Sequence, residues 1–138
     1  MISKLNPYLN FKNSAKEAIE FYQAALGGKL NMSTFKDAGM IKEGPEADNI
    51  MHAMLVCDNG MTLMASDTPD HMEYKPGTNV SISLSGDNES ELKGYWEKLS
   101  AGGNITQPLV PAPWGDQFGM FTDKFGIRWL VNIAPEKK

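Results

Sequence analysis

Glu17-Ala18-Ile19-Glu20-Phe21-Tyr22, closing at Gly27-Gly28, is echoed downstream by Glu91-Leu92-Lys93-Gly94-Tyr95-Trp96, closing at Gly102-Gly103. A second pair of echoes follows in the same order. Asn59-Gly60-Met61-Thr62-Leu63-Met64-Ala65-Ser66 returns as Phe125-Gly126-Ile127-Arg128-Trp129-Leu130-Val131-Asn132. Each copy holds one amphipathic helix and several short strands, so the chain reads as a duplicated α+β module. A duplicated sheet encloses space between its halves, and that space is where function is expected.

The elements around these echoes follow from hydrophobic period. Lys4 to Phe11 alternates, with Leu5, Pro7, Leu9 and Phe11 on one face and Asn6, Tyr8 and Asn10 on the other. Period two predicts a strand with one face on a core. Asn13 or Ser14 offers an N-cap. Ala18, Ile19, Phe21, Tyr22, Ala25 and Leu26 then recur at helical spacing, and Gly27-Gly28 supplies the stop. Lys29 to Phe35 reads as a strand, and residues 37–49 as a Gly-, Asp- and Pro-containing loop. Ile50 to Cys57 and Met61 to Ser66 form a hairpin across Asp58-Asn59-Gly60. After a linker over residues 67–79, Val80 to Ser85 alternates again. A helix is predicted from Glu89 to about Ala101, with Leu92, Tyr95, Trp96 and Leu99 inward. Strands follow over residues 104–110, after the loop Pro113–Gly119, and over Ile127–Ile133. The last places Ile127, Trp129, Val131 and Ile133 opposite Arg128, Leu130 and Asn132. The modules span residues 4–67 and 80–134, each β-α-β-β-β, within one domain of residues 1–138.

Bulk properties narrow the function classes. The net charge is −4, and the one basic run is the terminal Lys137-Lys138. That leaves no footprint for nucleic acid. The single cysteine, Cys57, excludes an intrachain disulfide framework and fits a reducing compartment. No apolar stretch approaches a membrane span, and the polar start does not read as a signal peptide. A soluble cytoplasmic protein is expected.

The punctuation of the two modules resembles the vicinal oxygen chelate superfamily of glyoxalases, bleomycin-resistance proteins and extradiol dioxygenases. Within it, the chain is most similar to the PhnB-like branch, which carries the label 3-demethylubiquinone-9 3-methyltransferase-like. The residues behind the resemblance are Pro7–Phe11, Glu17–Tyr22, His52-Ala53, Leu63–Asp67, Trp114-Gly115-Asp116 with Gly119, and Thr122–Trp129. They cover nearly the whole chain. The resemblance implies two tandem βαβββ modules forming a cup-shaped mixed sheet, and a homodimer. Methyl transfer is not expected: a methyl-donor site of the usual kind needs a Gly-rich turn between strand and helix, whereas Gly27-Gly28 follows a helix.

The superfamily's metal enzymes place a ligand on the first and last strand of each module. Carried over, those positions fall on Asn6 and Met64, and on Ser81 and Leu130. Catalytic metals in this setting want His, Glu or Asp, so no metal and no cofactor is expected. What remains is a cavity with polar groups on an apolar floor, suited to a small organic ligand. Its candidate lining is Asn6, Tyr8, Met54, Thr62, Met64, Ser66, Ser81, Trp114, Phe118, Arg128, Leu130 and Asn132.

Each candidate has a structural alternative. Tyr8 either meets ligand or buries its ring and sends its hydroxyl to water. His52 is the one candidate catalytic residue, a general base if it has a partner and otherwise a hydrogen-bonded strand residue. Arg128, the only arginine, either forks onto a carboxylate or phosphate or pairs with an acid at the rim. Trp114 and Phe118 either stack on ligand or cap the mouth. Met51, Met54, Met61 and Met64 fill core or soften a pocket. Cys57 has no basic neighbour to activate it. The leading reading is a metal-free binding module. Its rivals are a lyase, isomerase or dioxygenase-like enzyme using His52 with Tyr8 and Arg128 or a metal held by ligands the sequence does not reveal, and a dimeric scaffold without ligand.

Overall fold

A computed structural model of the chain describes residues 2–135; Met1 and residues 136–138, with the Lys137-Lys138 pair, lie outside the described residues. Among the described residues there are two helices and eight strands, in the order β1 (Tyr8–Phe11), α1 (Ala15–Leu26), β2 (Lys29–Thr34), β3 (Ile50–Val56), β4 (Thr62–Asp67), β5 (Ile82–Gly86), α2 (Glu89–Ser100), β6 (Asn104–Pro111), β7 (Gln117–Thr122) and β8 (Arg128–Ile133). The chain divides into two compact units, Met1–Pro76 and Gly77–Lys138.

In the first unit the sheet order is β1-β4-β3-β2, with β1 parallel to β4 and the other pairs antiparallel. The second unit repeats the pattern as β5-β8-β7-β6. The fold is therefore α+β, built of tandem βαβββ modules. In each unit one helix covers one face of a four-stranded mixed sheet. Ala18, Ile19, Tyr22 and Ala25 of α1 are buried with Ala53, Leu55, Leu63 and Ala65 of the sheet. Leu92, Trp96 and Leu99 of α2 are buried with Leu84, Trp129 and Val131.

The paired glycines after each helix do the same work twice. A Cβ on Gly28 would sit 2.3 Å from the Val56 carbonyl oxygen, and one on Gly103 would sit 2.3 Å from the Thr122 carbonyl oxygen. Only glycine lets the strand after the helix approach its neighbour this closely. The β3–β4 and β7–β8 turns also match. Cys57 N–H donates to Met61 O and Gly60 N–H to Cys57 O; Asp123 N–H donates to Ile127 O and Gly126 N–H to Asp123 O. Gly60 (φ 91°) and Gly126 (φ 90°) take the left-handed position, while Asn59 does not. The turn is thus a longer loop closed by a bulge glycine, not a two-residue Asn-Gly turn.

Three sequence expectations are corrected. The first strand starts at Tyr8 rather than Lys4, and Leu5 is fully exposed. Pro7 contributes a carbonyl, which accepts from Met64 N–H, but has no N–H to continue the ladder. The fifth strand starts at Ile82, leaving Val80 exposed and Ser81 just before the strand. Ser14 does occupy the N-cap of α1, but its side chain makes no cap hydrogen bond. Instead Asp67, buried at the end of β4, accepts from Ser14 N–H and Ala15 N–H through Oδ1 and from Ile50 N–H through Oδ2, each at 2.9 Å.

Candidate functional site

Strand register places the sequence-nominated residues that lie in strands on the sheet faces turned from the helices. In the first unit Tyr8 lies opposite Met64, Met64 opposite Met54, and Met54 opposite Asn31. Flanking this row, Asn10 pairs with Ser66, His52 with Ser33, and Val56 with Thr62. The face therefore carries two methionines at its centre and a rim of hydroxyls, amides and one imidazole. Tyr8 Oη lies 3.3 Å from His52 Nδ1, and the rings are 5.9 Å apart. This supplies His52 with the partner its sequence neighbourhood lacked. Met54, Thr62, Met64 and His52 are half-buried, and Ser66 is at the edge of full burial.

In the second unit Ser83, Leu130 and Met120 form one row, and Ser85, Asn132 and Phe118 the next. Arg128 pairs with Thr122 beyond them. Asn132 holds the β6–β7 loop to the sheet: it accepts from Trp114 Nε1 (3.3 Å) and donates from Nδ2 to Asp116 Oδ2 (2.8 Å). The expected acidic partner of Arg128 is replaced by a backbone one. Its guanidinium donates to the Thr78 carbonyl, so the group is held at the strand start, and among the described residues it forms no ion pair with a carboxylate.

The structure brings Tyr8, His52, Met54, Thr62, Met64 and Ser66 onto one face, and Arg128, Leu130, Asn132 and Phe118 onto another, to which Trp114 is tied from the β6–β7 loop. Asn6 and Ser81 lie in the segments just before β1 and β5. The residues opposite Met64 and Leu130 are Tyr8 and Ser83, two positions further on. Sequence reasoning assigned no role to Ser83, Met120 or Asp116. The alternation through Phe118 and Met120 would have flagged Met120; Asp116 leaves no periodic trace.

The superfamily's metal does not fit here. The positions concerned hold Asn6 or Tyr8 with Met64 in the first unit and Ser81 or Ser83 with Leu130 in the second, and none is an imidazole or carboxylate. Among the described residues no three His, Cys, Asp or Glu side chains gather closely enough to hold an ion. Cys57 is buried, and burial with the Asp58 carboxylate pushes its thiol above the ordinary value, the opposite direction from an activated nucleophile. A separate groove at the start of α2, lined by Asp87, Asn88, Glu89, Gln117 and Ile133, holds none of the nominated residues. Three of its polar side chains are engaged within the unit: Asn88 accepts from Glu91 N–H, and Glu89 accepts from Gln117 and pairs with Lys93. These contacts draw the Glu89 carboxyl below its usual range, the Lys93 hydrogen bond contributing most.

Similarity to known proteins agrees with this architecture. A Pseudomonas aeruginosa protein, PA1353, is 37% identical, with a TM-score of 0.82 over 98% of this chain and 100% of that one. The PhnB protein from Bacillus cereus is 25% identical, with a TM-score of 0.73 over 96% of this chain and 100% of that one. Protein YjdN of Escherichia coli K12 is 26% identical over 96% of this chain and 97% of its own length. The profile of the Glyoxalase/Bleomycin resistance protein/Dioxygenase superfamily matches residues 4–131. That span takes in the whole first module and all but the last residues of the second, and the chain belongs to this superfamily, as a PhnB-like member.

Proposed function

We propose that this protein binds a small, partly apolar organic molecule without a metal, as one domain of two modules (residues 4–67 and 80–134) and in the cytoplasm. The carrying observation is the row Tyr8, Met64, Met54 and Asn31, flanked by His52. Apolar, adaptable side chains sit at its centre and hydrogen-bonding groups at its edge, the composition of an organic-ligand site. No nucleic-acid or membrane partner is proposed: the net charge is −4, and among the described residues no helix is long and apolar enough to cross a membrane. The test is a thermal-melt screen of an organic library with chelator present, alongside elemental analysis of protein purified without chelator. Ligand at a hundredfold excess over its Kd should add about 2.7 kcal/mol, and Met64→Asp should abolish the gain. One Zn, Mn, Ni or Fe per chain surviving dialysis would reject the reading.

The Tyr8–His52 contact favours a second reading, in which the pair moves a proton on a bound substrate. Arg128 is bonded to the Thr78 carbonyl, so the proton transfer is assigned to His52 and Tyr8. Turnover of a bound compound that His52→Ala removes while binding persists would favour it.

We further propose a homodimer about a two-fold axis. Met32 and Val56 in the first unit, and Ile105 and Val110 in the second, leave apolar surface exposed on strands, and a second copy would cover it. Sedimentation equilibrium at micromolar concentration is expected to give twice the 15.2 kDa chain mass. A monomer alone would reject the dimer.

A further inference from the structure

Trp114 is 59% exposed, whereas Trp96 and Trp129 are 9% and 1% exposed. An exposed tryptophan usually swings freely, but this one is held. It sits at the tip of a tight turn in which Ala112 N–H donates to Asp116 O and Gly115 N–H to Ala112 O. Gly115 takes φ +100°, the same bulge position as Gly60 and Gly126. Pro113 fixes the residue before Trp114. The indole N–H is tied to Asn132 and its ring packs edge-on to Phe118, centroids 5.4 Å apart at 66°. The same Asn132 holds the Asp116 carboxylate through Oδ2. One amide thus ties the indole to the carboxylate, and the Phe118 ring packs against the indole. Among the described residues no lysine, arginine or histidine pairs with Asp116.

From this geometry we propose that Trp114, Phe118 and Asp116 form a recognition site for an organic ammonium group. Aromatic faces carry partial negative charge and attract cations, tryptophan most strongly. A fixed carboxylate beside them adds the full opposite charge, while Phe118 offers apolar area to the ligand's body. Because the parts are already held, binding orders little further. The chain's net charge of −4 adds attraction for a cation. This assignment rests on the reading of the sheet faces as ligand-binding and names the ligand class for the second unit.

The test follows the three indole N–H signals by NMR, with Trp114 assigned from Trp114→Phe. The probes are choline, its uncharged carbon analogue 3,3-dimethylbutan-1-ol, and the anion 3,3-dimethylbutanoate. Choline should shift the Trp114 signal saturably, with the neutral analogue about tenfold weaker and the anion inert. Asp116→Asn should weaken choline about tenfold and leave the neutral analogue unchanged. The signals of buried Trp96 and Trp129 report that each variant is folded. The proposal is overturned if the neutral analogue matches choline, if the anion binds more tightly, or if Asp116→Asn leaves choline unaffected. If all three probes leave Trp114 unmoved but the library screen finds an uncharged or anionic ligand, the cation assignment fails and the binding reading stands. If neither screen finds a ligand, both fail.

Discussion

Trp129→Ala is expected to cost about 3–5 kcal/mol of folding stability, the range for truncating a large core aromatic. Trp129 is 1% exposed and stacks on Phe121 with centroids 6.4 Å apart and planes 10° apart. Phe121 in turn meets Trp96 of α2 edge-on at 5.0 Å. The indole joins strand, neighbouring strand and helix in one cluster, so its removal opens a cavity at the centre of the second unit. The indole N–H also donates to Asp123 Oδ2 at 2.8 Å, and Asp123 is itself buried. Losing that donor leaves a buried carboxylate oxygen one partner short. Arg128→Ala, next along the strand but on the opposite face, should cost less than about 1 kcal/mol, as a half-exposed side chain outside the core. Denaturant melts of the two variants decide the matter. A neutral Trp129→Ala with an unfolded Arg128→Ala would mean the strand faces are reversed.

The second large effect is expected at Asp67. Its carboxylate serves three backbone N–H groups: Ser14 and Ala15 at the start of α1, and Ile50 at the start of β3. Asp67→Ala removes every one of these acceptors at a buried position. At about 1 kcal/mol or more for each group left unsatisfied, the cost is roughly 3–5 kcal/mol. Asp67→Asn keeps one acceptor oxygen and should fall between wild type and alanine. Amide hydrogen exchange provides a local signature. In Asp67→Ala, Ser14, Ala15 and Ile50 should lose protection together, while the second unit's amides keep theirs. Uniform loss across both units, or stability within 1 kcal/mol of wild type, would show that the carboxylate is not what holds the α1 start.

The two positions differ in how far they could be read from sequence. Trp129 falls on the apolar side of a strict alternation, so its burial was legible in the residues around it. Asp67 ends one predicted module and begins the predicted linker, and nothing local marks it as the cap of a helix 52 residues earlier. Ser14 has the right chemistry and position for a cap, yet the more distant carboxylate does the work. The strand ends misread for a related reason. Alternation reports which face a side chain takes and not whether the backbone has a partner, so it ran on through Leu5 and Val80 beyond the ladders.

The site divides along the same line. By itself the sequence determined the element order, the duplication, and the faces on which Tyr8, Met64, Leu130 and Asn132 stand. Period two and period 3.6 are properties of neighbouring residues, and the helix-ending glycines announce themselves by type. Tertiary structure alone decided which residues meet. The parallel pairing of β1 with β4 sets Tyr8 against Met64 and within reach of His52, 44 positions away. The return of β8 beside β7 lets Asn132 join Trp114 to Asp116. The return of the chain to Thr78 gives Arg128 a carbonyl in place of an acid. Such contacts rest on single polar side chains brought together by strand crossovers, and a lone polar residue has no period through which its distant partner can be read.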